Sequence, residues 1–339
     1  MTDNRLGVMV LFAEEGVIDS ADLYLAKSIS EVVKDLYIVI NGRPLENAVS
    51  LIKNISENVY VRENIGYDCG AYKYTLENVI GWDTIRKYDE LLLINDSCYG
   101  PIYPWKDVFE AMADKPYDFW GITESPEIKR GRFSKAMIPY HVQSYFIVIR
   151  NKLLKSSDFS QFWENVKLSN AYEQVVNNFE LTFSQHFNHL GYTSGAYIDS
   201  QAFCTSIDET QAYIFFDSYR LVSEYRCPLI KKKVFLFPKE FVLASNAGET
   251  ARKTLDYIEK ETEYDVDMIW EHLIRKSDVL ELKDTLHLDY ICSKVIEETS
   301  ECIQPNDIAV IINLHSCNSV DKCCHYAGKI NSIIKVYII

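Results

Sequence analysis

The chain lacks a long apolar run, a surplus of basic residues, paired cysteines and a dinucleotide glycine fingerprint, and each absence removes a class of function. No apolar stretch approaches the roughly 20 residues that a membrane-crossing helix needs, so no transmembrane segment is expected. Lys and Arg number 35 against 49 Asp and Glu, a formal net charge of −14. That balance argues against a nucleic-acid partner, because affinity for a phosphate backbone rests on clustered basic side chains. The nine cysteines show no C-x-x-C pair, which points to free thiols in a reducing compartment rather than a disulfide framework. Met1 is followed by Thr2-Asp3-Asn4-Arg5 without a basic-then-apolar leader, so the expected location is cytoplasmic, with peripheral contact at the inner face of the membrane left to local basic loops. G-x-G-x-x-G does not follow the first strand-like run, which weighs against a nicotinamide oxidoreductase.

What the chain does have is apolar bulk, 47% hydrophobic and 13% aromatic residues over 339 positions, enough for one large core with an appendage. Leu6–Ala13, Tyr37–Ile40, Asn58–Arg62 and Glu90–Ile94 read as strands, and the segments Asp22–Val33, Leu45–Ile55 and Tyr72–Val79 between them read as helices. Strand and helix in alternation, with short connections, is the pattern of a parallel α/β sheet. Further on, Trp105–Ala113, Ser160–Val166 and Asn177–Leu190 read as helices, the last stopped by Gly191, and Asp118–Ile122, His141–Arg150 and Pro228–Phe237 as strands. Glu124–Ile138 has no apolar period and is expected to be a long functional loop. Thr250–Lys276 and Asp278–Glu298 read as helices. Ile308–His315 and Tyr326–Ile339 echo the opening of the chain, as if a second α/β repeat stopped after its second strand. The expected division is therefore 1–240 for the main domain, 241–300 for a helical extension and 301–339 for a partial repeat.

Candidate chemistry gathers where apolar strands stop. Leu91–Ile94 ends abruptly in Asn95-Asp96-Ser97, and the carboxyl ends of parallel strands are where open α/β sheets bind ligands. Asp96 suits a Mg²⁺ or Mn²⁺ ion shared with a diphosphate, or simply closes the turn toward Gly100. The turn Gly66-Tyr67-Asp68-Cys69-Gly70 offers either close backbone approach to a ligand or a helix N-cap at Asp68. Glu180 lies between Phe179 and Leu181 and faces either a cleft or solvent. The alternation in His141-Val142-Gln143-Ser144-Tyr145 puts His141, Gln143 and Tyr145 on one polar face suited to hydroxyl recognition, with a structural histidine as the plainer reading. Lys129-Arg130-Gly131-Arg132 either closes over phosphate or is a solvated charge run. His315, Cys317, Cys323, Cys324 and His325 have metal-ligand chemistry at irregular spacing.

Taken together, N-I-G-Y-D-C-G-A-Y-K (64–73), L-L-L-I-N-D-S-C-Y-G-P (91–101), D-F-W-G-I-T-E-S (118–125), H-V-Q-S-Y-F (141–146) and E-T-A-R-K-T-L-D-Y-I-E-K (249–260) resemble the rhamnan synthesis F family of glycosyltransferase-like proteins in bacterial cell-wall and capsular polysaccharide assembly. The resemblance runs from about residue 5 to residue 290. It implies a GT-A-like α/β fold, with a nucleotide sugar lying across the carboxyl ends of a Rossmann-like, mostly parallel sheet. It also implies transfer of a sugar, L-rhamnose from dTDP-rhamnose, to a lipid-linked or polysaccharide acceptor. On that template Phe12, Ala13, Glu14 and Asn41 line the nucleobase and ribose. Gly66, Asp68, Gly70, Lys73, Asn95, Asp96 and Ser97 surround the donor, with Asp96 at a divalent cation. Glu180 is the base of an inverting transfer, and Trp120, His141, Gln143, Ser144 and Tyr145 meet the acceptor sugar. The motif reads Asn-Asp-Ser where such enzymes usually carry a second Asp. The alternative is a non-catalytic carbohydrate-binding or scaffolding module that keeps the fold.

Overall fold

A computed structural model describes residues 4–127, 138–200, 217–236, 249–286, 309–312, 324 and 335–338. The chain divides into two compact units, Met1–Asp289 and Tyr290–Ile339. The first begins as anticipated, with β1 (Arg5–Ala13), α1 (Ser20–Ser30), β2 (Asp35–Gly42), α2 (Glu46–Lys53), β3 (Asn58–Arg62), α3 (Tyr67–Tyr74), α4 (Trp82–Ile85) and β4 (Glu90–Asn95). β5 (Cys98–Tyr99), α5 (Trp105–Ala113), β6 (Phe119–Ser125), β7 (His141–Val142), β8 (Phe146–Arg150), α6 (Asn151–Leu154) and α7 (Ser157–Asn165) follow. Then come α8 (Tyr172–Val175), α9 (Thr182–His189), β9 (Ser194–Ile198) and β10 (Ile230–Lys231).

The main sheet runs β3-β2-β1-β4-β8-β6-β7, with β9 paired to β6. β1 to β4 are mutually parallel, whereas β8 is antiparallel to both β4 and β6. Both faces are covered, so the central strands are apolar throughout and their alternate residues enter different cores. Met9, Leu11, Leu92 and Ile94 pack with α1, α2 and α5 through Leu25, Ile52 and Trp105. Val8, Val10, Leu91 and Leu93 face the other way, against Tyr72, Phe159, Trp163 and Phe183. A third core gathers the helices Glu249–Glu261, Asp267–Lys276 and Val279–Thr285 around Tyr99, Ile230 and Phe235.

Several elements differ from their sequence reading. Pro228–Phe237 does not run as one strand of the main sheet: among its described residues only Ile230–Lys231 pairs, in a separate two-stranded sheet antiparallel to Cys98–Tyr99, and Lys232–Phe235 closes into a 3₁₀ turn that buries Val234 and Phe235. Thr250–Lys276 is two helices, because Tyr264 turns into the third core between them. His141–Arg150 breaks at Gln143–Tyr145 into β7 and β8. In the second unit Ala309–Ile312 pairs in parallel with Lys335–Ile338. Lys129–Arg132 and His315, Cys317, Cys323 and His325 lie outside the described residues. No helix among the described residues is long and apolar enough to cross a membrane, and Cys69, Cys98 and Cys227 are buried free thiols.

Candidate active site at the carboxyl edge of the sheet

The strand order reverses direction between β1 and β4, since β2 and β3 extend the sheet to one side and β4 starts the other. The carboxyl ends of strands at such a switch point are where open α/β sheets bind ligands, and Phe12 of β1, Asn95 at the end of β4 and the following Asp96 and Ser97 lie there. Asp96 Oδ2 accepts the Phe12 N–H at 2.6 Å, which ties the two strand ends together. Asn95 donates through Nδ2 to Asp68 Oδ2 at 2.8 Å, and its Oδ1 accepts the Ser97 hydroxyl at 2.6 Å. The Asn-Asp-Ser triplet thus links β1, β4 and α3.

α3 starts at Tyr67, so Asp68 lies in its first turn and is not its N-cap; Gly66 holds that position at φ +75°. Asp68 Oδ1 accepts the Cys69 N–H at 2.8 Å. A Cβ at Gly70 would come within 2.1 Å of the Ile65 carbonyl oxygen, so the glycine serves close approach of the chain to itself rather than to a ligand.

Glu180 sits in a π-helical turn, Val176–Leu181, inserted between α8 and α9, and such insertions recur at functional sites. Phe179 and Phe183 anchor this helix in the aromatic core, while Glu180, about 24% exposed, turns toward β7. Its Oε2 accepts the Ser144 hydroxyl at 3.1 Å, and its Oε1 lies 3.7 Å from His141 Nε2. His141 Nδ1 is 2.9 Å from the Pro139 carbonyl oxygen, so both ring nitrogens face acceptors. The break after β7 redistributes the anticipated polar face: His141 and Ser144 meet Glu180, whereas Gln143 and Tyr145 meet Thr123 at 2.6 and 2.5 Å.

Residues that the sequence reading passed over complete the site. Lys231, Lys232 and Lys233 cross the sheet edge. Pairing of Lys231 with Cys98 sets their position. Lys231 Nζ donates to the Ser97 hydroxyl at 3.0 Å and stands 4.2 Å from the Tyr145 ring centroid. Lys232 Nζ binds Asp22 Oδ1 at 2.7 Å. Lys233 Nζ lies 5.3 Å from the Tyr172 ring. The only linear signal was the basic run itself, Lys231-Lys232-Lys233 ahead of an apolar segment in an acidic chain. Asp22 had none, because it sits inside an amphipathic helix and its partner is 210 positions away.

Burial and charge set the protonation of these groups. Burial raises Asp22 to about 7 against the opposing pull of Lys232. Burial raises Asp96 as well, with Lys232 and the Phe12 N–H working against it. Asp68 is raised by burial despite its bonds from Asn95 and Cys69. Burial would also raise Glu180, but the neighbouring His141 imidazole, the charge of Lys231 and the Ser144 hydroxyl outweigh it and hold Glu180 below its ordinary value. Burial disfavours the charged form of Lys232, yet Asp22 and Asp96 more than compensate and keep it an ammonium.

The divalent cation anticipated at Asp96 does not fit this donor set. The buried Lys232 ammonium already compensates Asp22 and acts on Asp96, and a cation bridging those carboxylates would have to displace it. Among the described residues no cluster of three or more His, Cys, Asp and Glu side chains could hold a metal. Other expected residues fall elsewhere. Trp120 is 1% exposed and packed between Phe109 and Phe146 in the core, out of reach of an acceptor. Lys73 is held by Glu77, the Glu164 carbonyl and the Trp163 carbonyl, against α7. Asn41 is buried, donating to the Tyr67 carbonyl at 3.0 Å and accepting from Arg62 at 2.7 Å, so it shapes the edge from beneath. Ala13 is buried, and Glu14 pairs with Lys276. Phe12 is 45% exposed and keeps an open aromatic face beside Asp96.

The class is therefore an α/β protein with a Rossmann-like parallel half-sheet and a cluster of charged side chains at its carboxyl edge. Within that class the chain belongs to the rhamnan synthesis protein F family, whose model matches residues 36–339. It is 23% identical over 188 residues to the uncharacterized protein y4gN of Sinorhizobium fredii, a match covering 55% of this chain and 46% of that protein. It is 30% identical over 132 residues to the virulence protein VirA of Vibrio anguillarum, covering 38% of each. The matched region thus spans less than half the length of either relative. Among solved structures it is similar to 4-diphosphocytidyl-2C-methyl-D-erythritol synthase, at 13% identity and TM-score 0.32, over 57% of this chain and 88% of that one. It is also similar to the mannosyltransferase Ktr4p of S. cerevisiae, at 11% identity and TM-score 0.27, over 52% and 62%.

Proposed function

We propose that the chain is an inverting glycosyltransferase that moves L-rhamnose from dTDP-rhamnose to a growing cell-surface polysaccharide, working at the cytoplasmic face of the membrane. The family's tie to rhamnan synthesis supports the substrate class. The observation that carries the reading is the placement of Lys231, bonded to Ser97 at the end of β4 and close enough to Glu180 to lower its pKa. A transfer needs positive charge on the departing diphosphate and a carboxylate for the acceptor hydroxyl, and these groups supply both within one crevice.

In this mechanism the open face of Phe12 receives the nucleobase, and Lys231 with the Ser97 hydroxyl receives the diphosphate. The acceptor oxygen attacks the anomeric carbon from the face opposite the diphosphate, and its proton passes to Glu180. The bond to the diphosphate breaks with its electron pair, and the charge that develops on the leaving oxygen faces Lys231. His141 and Ser144 keep Glu180 ionised and fix its orientation, while Gln143 and Tyr145, aligned on Thr123, offer hydrogen bonds to sugar hydroxyls. Lysine takes the part in charge neutralisation that a divalent cation would otherwise play.

Replacing Glu180 with Gln keeps the shape of the site and removes the base. The expected result is a fall in turnover of about 10²–10⁴-fold with nucleoside-diphosphate affinity retained, measured by product formation and by calorimetry. Unchanged turnover would remove Glu180 from the mechanism. A wild-type chain that binds glycan but no nucleotide would favour a non-catalytic module.

A further inference from the structure

A cavity of about 410 Å³ opens between α7 and the helix that carries Glu180, and Glu180 does not line it. Its walls include Gln161 and Asn165 from α7, and Asn178, Thr182, His186 and Leu190 from the facing helix. Positions 178, 182, 186 and 190 recur every fourth residue and form one stripe, and Glu180 lies on the opposite side of the same helix. One π-to-α junction therefore presents a carboxylate to Ser144 and His141 beside the sheet edge and a polar stripe to this cavity.

The chemistry of the lining selects the ligand. Apart from one lysine, Lys167, and one acid, the hydrogen-bonding groups are neutral: two asparagines, a glutamine, a threonine and a histidine. The acid, Asp158, is engaged by the Tyr192 hydroxyl at 2.7 Å. The amides are preset, because Asn165 Nδ2 donates to the Gln161 carbonyl at 2.7 Å and Asn178 Nδ2 to the Lys167 carbonyl at 3.1 Å. Each Oδ1 is left as a fixed acceptor. Thr182 donates its hydroxyl proton to the Asn177 carbonyl at 2.6 Å, so its oxygen also faces ligands as an acceptor. The Phe162 and His186 rings, 5.3 Å apart, and Leu190 supply an apolar surface beside these acceptors. A stiff row of acceptors next to an apolar surface matches a neutral sugar, which presents hydroxyl donors along its edge and C–H groups on its face. An anion would meet a single lysine, Lys167, offset by Asp158 and the row of acceptors, and a purely apolar ligand would strand the amides. The volume suits a short oligosaccharide segment.

We propose that this groove is a second glycan-binding site, which holds a neutral stretch of the acceptor chain away from the end being extended. The proposal rests on the transferase reading for the identity of the glycan, but binding can be tested without turnover. The probe is a neutral rhamnose oligosaccharide, titrated by calorimetry into the full chain, wild type, Asn178→Ala and Gln161→Trp. Asn178→Ala removes a preset acceptor. Gln161→Trp fills the groove from an exposed position that carries no buried contact. Both are expected to weaken oligosaccharide binding about tenfold or more and to leave nucleoside-diphosphate affinity unchanged. Oligosaccharide affinity equal to wild type in both variants, with folding intact by circular dichroism, would overturn the proposal. Oligosaccharide binding lost in the variants, from a wild type that binds no nucleotide, would uphold the groove while removing the transferase reading.

Discussion

The two edges of the main sheet both carry buried charge, but only one keeps donors free. At the amino-terminal edge Arg5 gives Nε and Nη2 to Glu90 and Nη1 to the Val32 carbonyl, with its guanidinium 3.7 Å over the Phe109 ring. Arg150, brought there by the antiparallel β8, pairs with Glu90 and caps the carbonyls of Met112, Lys115 and Tyr117. Those charges saturate one another and staple strands to α5. At the carboxyl edge the Lys231 ammonium has one hydrogen-bond partner among the described residues, a serine hydroxyl, and an aromatic ring beneath it. Glu180 keeps about a quarter of its side-chain surface exposed, 24%. Under the proposed function, the charges saturated by the fold serve stability and the lysine left with free donors serves a ligand.

That contrast can be broken by substitution. Arg5→Met leaves Glu90 with less compensation where Arg5 itself is buried, and the expected cost is about 3–5 kcal/mol of stability by denaturant unfolding, with dTDP affinity unchanged. A matching loss of affinity would mean that the edges are not independent. Lys231→Ala is expected to do the reverse. The loss of one charge-assisted contact should weaken nucleoside-diphosphate binding by about 1.5–3 kcal/mol while the unfolding midpoint stays close to wild type.

The smallest effect concerns pH. Asp22 has a folded-state pKa raised by burial to about 7, so its contribution to stability is full below the ordinary carboxylate range and is lost as pH rises through about 7. Over the same window its ionisation adds a negative charge near the diphosphate position, and nucleotide affinity should fall by about 1 kcal/mol. Asp22→Asn is expected to flatten that profile. A slope that persists in the variant would place the titrating group elsewhere.

The first four strands were legible because each is a short apolar run closed by polar turn residues, and Asp96 drew notice because it follows the run Leu91–Ile94, which stops abruptly. The partners of each charge were not. Ser144 and His141 reach Glu180 from about 40 positions away, and Lys232 reaches Asp22 across 210, separations that no local periodicity encodes. Lys231-Lys232-Lys233 read as part of a strand because flanking Ile230 and Val234 are apolar, whereas pairing stops after Lys231 and the chain turns to bury Phe235. Gln143–Tyr145 read as continuous strand because alternation holds there, but the Thr123 hydroxyl draws Gln143 and Tyr145 away from Glu180. Trp120 and Lys73 carried the right residue types for a site. Core packing claimed the first, and the carbonyl end of α7 the second.

The most direct test of lysine in place of a metal is a calorimetric titration of dTDP, UDP and GDP into wild type, Lys231→Ala and Asp96→Ala, each in EDTA and in Mn²⁺. The account predicts that dTDP binds wild type equally well in both conditions and binds Lys231→Ala weakly in either. Binding that appears only with Mn²⁺, disappears in Asp96→Ala and survives in Lys231→Ala would contradict it.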